Sequence, residues 1–133
     1  MSVKKITAYL STAAVALALV AASSTAYAVS IEVECEVRGD RSRAKVDGAD
    51  LAADTAFMAT IASGGATSTA VMANSDLDGE FDADWDSNAE LPENGEPADT
   101  SIAVDFIKND EVTGRIQGTG VDISQTVSCE VKD

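Results

Sequence analysis

Two stretches of alternating apolar and polar residues, each carrying one cysteine, constrain this chain more than anything else in it. The first is Ser30–Arg38, with Ile31, Val33, Cys35 and Val37 on one phase. The second is Val121–Lys132, with Val121, Ile123, Val127, Cys129 and Val131 on one phase. Side chains of a β-strand point to opposite faces in turn, so each stretch predicts a strand with one dry face and a sulfur on it. The chain has two cysteines in all. Pairing Cys35 with Cys129 ties the first strand to the last, 94 positions away, and encloses everything between. In the chain-entropy model such a loop contributes about 4–5 kcal/mol. Zinc is the rival use of two cysteines, but it needs two further nitrogen or sulfur ligands, and the chain has no histidine.

Disulfides persist in oxidising compartments, and the N-terminus agrees. Lys4 and Lys5 precede the apolar run Ala13–Ala22, and Ala26-Tyr27-Ala28 follows it. This is the order of a secretory signal peptide over residues 1–28, with cleavage after Ala28. The run is too short for a membrane anchor, which needs about 20 apolar residues. One domain is expected over residues 29–133, with no membrane span, in the periplasm or outside the cell. It holds seven basic residues against 23 acidic ones, a net charge of −16. Nucleic-acid affinity comes from neutralising phosphates with Lys and Arg, so that class of partner is excluded. Anionic membrane surfaces are disfavoured for the same reason.

The rest of the chain reads as short strands and turns. Arg41–Val46 alternates, with Ser42, Ala44 and Val46 on one phase. Residues 49–54 form an irregular crossover. Thr55–Ser63 and Ala66–Ala73 are uncharged, rich in β-formers, and joined by Gly64-Gly65, a hairpin signal. Glu80–Asp86 alternates strictly, with Phe81, Ala83 and Trp85 opposite Asp82, Asp84 and Asp86. Residues 87–99 read as a long acidic loop. Thr100–Lys108 and Glu111–Gln117 read as further strands about Asn109-Asp110. Seven to eight such strands predict an all-β fold, an antiparallel β-sandwich. It is not an antibody-type domain, because Trp85 follows Cys35 by some fifty positions and the cysteines are terminal.

Ser75-Asp76-Leu77-Asp78-Gly79-Glu80-Phe81 resembles the D-x-D-G-x-F hairpin of carboxypeptidase-regulatory-like and transthyretin-like sandwiches. A longer order also looks familiar. It runs from Cys35 through Arg41-Ser42-Arg43 and Val46-Asp47-Gly48-Ala49-Asp50-Leu51 to Glu80–Asn88, Val112-Thr113-Gly114 and Cys129. This order resembles a group of small exported proteobacterial β-sandwich proteins of unknown function. The resemblance implies a fold and a compartment, and no activity.

Without histidine there is no Ser-His-Asp triad, Cys-His pair or imidazole metal site. Carboxylates are the remaining catalytic inventory, as in glycosidases, but a small domain with few aromatics is a poor frame for a sugar cleft. The chain is therefore read as a non-enzyme, with a carboxylate-based hydrolase as the remote alternative.

Calcium is the one cofactor the residues suggest. Asn74, Asp76, Asp78 and Glu80 place oxygens at alternate positions around Gly79, as in the first half of a calcium loop. The twelfth position, a glutamate in an EF-hand, is Trp85. A site there must borrow ligands, Glu90 and Glu93 among them. A second frame, from Asp82 through Asp84 and Asp86 to Glu93, lacks the turn glycine. The competing reading is an Asp-Gly turn whose aspartates cap backbone amides. Alternate strand residues lie about 6.5–7 Å apart, so Asp82, Asp84 and Asp86 read more simply as a solvated face.

Arg38, Arg41, Arg43 and Lys45 hold four of the seven basic residues, while residues 76–99 hold ten acidic residues and no basic one. The two segments either pair within the molecule or self-associate head to tail between copies. The reading that fits best is an exported β-sandwich that binds a protein or another envelope component, or serves a structural role there. A calcium-stabilised module is the alternative.

Overall fold

The computed structural model describes residues 28–88 and 98–133. Most of the stretch read as a signal peptide and of the stretch read as an acidic loop, with Glu90 and Glu93, lies outside them. The fold is all-β, in two sheets. The first sheet is built on β1 (Ser30–Arg38), β2 (Arg41–Ala49) and β6 (Phe81–Asp86). Two-residue strands flank it: β10 (Glu130–Val131) beside β1, and β7 (Thr100–Ser101) beside β6. The second sheet is built on β3 (Ala56–Ser63), β8 (Glu111–Gly118) and β9 (Val121–Ser128), with β4 (Ala66–Thr67) and β5 (Val71–Asn74) on the outer edge of β3. The long pairings are antiparallel, as expected, but β1–β10 and β6–β7 are parallel, so the first sheet is mixed. Among the described residues no helix is long and apolar enough to cross a membrane.

The core follows the alternation. Val33, Ala44, Val46, Phe81, Ala83 and Trp85 from the first sheet meet Phe57, Ala59, Ile61, Val112 and Ile116 from the second, all buried. The Phe57 and Phe81 rings meet edge to face at 6.3 Å. Gly114, on the inner phase of β8, lets the sheets approach, since a Cβ there would stand 2.6 Å from Val33 and 2.8 Å from Val46.

The sequence predicts one continuous last strand, and here the structure differs. β9 belongs to the second sheet and β10 to the first, and the chain crosses between them at Cys129. The Cys35–Cys129 disulfide, Cα–Cα 4.6 Å, sits at that crossing and fastens β1 where the sheets meet. Gln125, on the inner phase of β9, closes the same seam by accepting the Val33 backbone N–H at 2.8 Å.

A second difference lies at Thr100–Lys108, predicted as a strand. After Ser101 the chain turns, and its backbone is satisfied by buried serines rather than by a ladder. Ser42 donates to the Val104 carbonyl at 2.6 Å, and Ser63 accepts the Lys108 N–H at 2.7 Å while donating to the Glu111 carbonyl at 2.7 Å. Ile107 is thereby buried from an irregular segment rather than a strand. The return strand at 66–73 is likewise split, into β4 and β5.

Candidate functional site

The two outer faces of the sandwich are chemically unlike. On the first sheet the register stacks charges in rows across β1, β2 and β6. The top row is Glu36–Arg43–Asp86, the next Glu34–Lys45–Asp84, and the third Glu32–Asp47–Asp82. The two-residue turn Gly39-Asp40 sets this register for β1 and β2, and it also brings Arg38 opposite Arg41.

The top row is a closed ion network. Arg41 grips Asp86 with two bonds, Nε–Oδ1 at 3.0 Å and Nη2–Oδ2 at 2.6 Å. Arg43 holds Glu36 at 2.6 Å and lies 3.6 Å from Asp86. Arg38 and Lys132 reach Glu36 at 3.1 and 3.0 Å. Glu36 and Asp86 are buried although they lie on the outer phase, because these long cationic side chains fold over them. Burial raises the Glu36 carboxyl, but hydrogen bonds from Lys132, Arg43 and Arg38 outweigh it and hold the group below the usual carboxylate range. The third row has the opposite character: three carboxylates, with one cation, Lys45, reaching Asp47 at 3.9 Å. Burial raises Asp47 above its usual value, and Asp82, Glu34 and Glu32 add to that against Lys45. Burial, then Asp99, raises Asp84 in the same way.

Of the two readings of the basic cluster, internal pairing is what the structure shows for Arg41 and Arg43 with Asp86. The hub Glu36 lies outside the 76–99 segment, and sequence reading missed it. Its outward phase on β1 and the hairpin register were the signals that pointed to it.

The calcium-loop residues form a tight turn. Asp76 Oδ1 accepts the backbone N–H groups of Asp78 at 2.9 Å and Glu80 at 2.8 Å, and Asn74 donates to Asp54 at 3.2 Å. Gly79 has φ +77°, and a Cβ there would strike the Leu51 carbonyl oxygen, so the turn needs glycine. Among the described residues no group of three Cys, Asp or Glu side chains is placed to hold a metal ion.

The outer face of the second sheet carries almost no charge. Its rows read Met72–Met58–Gln117–Asp122, then Thr60–Arg115–Ser124, then Ala62–Thr113–Thr126, and at the far end Glu111–Ser128, which adds one carboxylate. Its central charges, Arg115 and Asp122, neutralise each other through two bonds at 2.8 and 2.7 Å. Thr113 and Thr126 share a hydrogen bond at 2.6 Å. Met72 stands 76% exposed beside a shallow, mainly apolar depression lined by Met58, Ala73, Gln117 and Gly118. Sequence reading marked the runs at 55–63 and 66–73 as uncharged, but not that their outward residues share one face with those of β8 and β9. The chain matches no family model, no curated protein and no solved structure.

Proposed function

We propose that this chain is an exported, non-enzymatic β-sandwich with a binding or structural role at the bacterial envelope, its domain running from residue 29 to 133. One observation carries the reading: the unequal outer faces. The carboxylates of the top row of the first sheet are consumed in pairing, whereas the second sheet turns a nearly uncharged surface with an exposed methionine to solvent. On an acidic chain such a surface is the natural contact face, since it meets a partner without desolvating carboxylates. The disulfide and the leader-like N-terminus support export, and a disulfide-closed sandwich suits a durable extracytoplasmic module.

The test is photo-crosslinking in the native cell from a reactive residue placed at Met72 on one face or at Lys45 on the other. Adducts from position 72 and none from position 45 are expected. No adduct from either position, or equal yields from both, overturns the reading.

A further inference from the structure

The occupant of the uncharged face can be argued from its shape and charge. We infer that the outer face of the second sheet is a two-fold contact between copies of this chain. The inference rests on the contact-face reading above and names the partner.

Three observations lead there. The first is electrostatic. At a net charge of −16 two copies repel, and any approach through the first sheet brings the Glu32–Asp47–Asp82 row toward its like. Like charges placed together across an interface cost several kcal/mol. The second-sheet face largely avoids this, because Arg115 and Asp122 cancel within each copy, Glu111 lies at the far end of the face from Met72, and the rest of the rows is Thr, Ser, Ala, Gln and Met.

The second observation is shape. A two-fold contact joins one patch to itself, so that patch must carry both a knob and a hole. This face has both: Met72 projects at 76% exposure, and the apolar depression beside Met58 and Gly118 lies next to it. Methionine is unbranched and adapts to irregular gaps, which suits mutual insertion.

The third is area. Four strands about 4.8 Å apart and eight residues of about 3.3 Å each span roughly 500 Å² per copy. The pair then buries about 1,000 Å², the lower edge of a specific interface. The contact is therefore expected to be weak and reversible, and it strengthens as salt screens the overall repulsion.

Sedimentation equilibrium of the oxidised, exported protein tests this across protein concentration at low and at high NaCl. The weight-average mass is expected to climb toward twice the monomer, and to do so at lower protein concentration in high salt. Met72→Glu puts a carboxylate against the apolar depression of each partner copy and should hold the protein monomeric. Met72 is exposed, so its thermal midpoint should stay at the wild-type value. Lys45→Gln, on the other face, should leave association unchanged. A monomer at every concentration and salt, or an association that survives Met72→Glu, overturns the inference. The crosslinker at position 72 separates the two claims: a self-adduct supports both, and an adduct to another molecule alone keeps the contact-face reading while removing the second copy.

Discussion

The two outer faces of this sandwich are made from strands of similar length, yet they spend their side chains differently. On the first sheet, Glu36 and Asp86 are drawn under Arg38, Arg41, Arg43 and Lys132, and the surface they form is part of the fold. On the second, Met58, Met72, Thr60 and Thr113 make few bonds beyond their strands, apart from the Thr113–Thr126 pair. A high density of charge is thus not in itself a recognition surface. Here it is densest where the molecule pairs with itself, and the plain face is the one we propose for contact.

The largest expected effect lies at the seam that joins the faces. Cys35→Ala with Cys129→Ala should lower stability by about 4–5 kcal/mol, read from denaturant unfolding. Non-reduced mass spectrometry of the protein recovered from its native compartment should find no alkylatable thiol. A double variant as stable as the wild type would mean that Gln125 and the β10 pairing hold the seam alone.

Smaller effects sharpen the contrast within the first face. Asp47 is part-buried and flanked by Glu32 and Asp82, and burial with these like charges outweighs Lys45 at 3.9 Å. Asp47→Asn should therefore stabilise by about 0.5 kcal/mol, the size of cross-strand repulsion on an exposed ladder. The pH dependence follows from the same rows. Asp47 and Asp84 bind protons more tightly in the fold than in the unfolded chain, so stability rises as pH falls from neutral toward their raised values. Glu36 acts in reverse. Its contribution is full above its ordinary value of 4.5 and is lost as pH falls through its lowered one. The thermal midpoint should therefore peak in mild acid and fall again on further acidification. Asp47→Asn should flatten the rise and leave the fall. A midpoint that declines steadily from neutral pH would contradict the like-charge row.

The smallest effect is that of salt. Moderate NaCl screens the long-range repulsion of −16 charges more than it screens the part-buried Arg41–Asp86 pair, so the midpoint should rise slightly. A flat or falling midpoint would mean that the carboxylates are already neutralised.

Much of this architecture was written in the alternation. Residues 31, 33, 35 and 37, and 81, 83 and 85, point inward as their phase requires, and both cysteines lie where that phase placed them. Gly64-Gly65 turns with φ +57° and +87°, as a two-residue hairpin demands. The switch of sheets at Cys129 was not legible, because Val127, Cys129 and Val131 keep one period across it and only the spatial neighbour changes. Thr100–Lys108 misled for a related reason. Ile102, Phe106 and Ile107 do turn toward the core, but Ser42 and Ser63 satisfy that backbone, and a single serine hydroxyl leaves no periodic signal. The uncharged face was hidden because its rows run across strands distant in sequence.

The central claim is that the charged face is built into the fold and the uncharged face is not. Denaturant unfolding of Arg41→Ala beside Met72→Glu tests it most directly. Arg41→Ala removes a bidentate partner from the buried Asp86 carboxylate and should cost about 2–3 kcal/mol. Met72→Glu changes an exposed side chain and should fall within about 0.5 kcal/mol of the wild type. Equal losses, or a larger loss from Met72→Glu, would contradict the account.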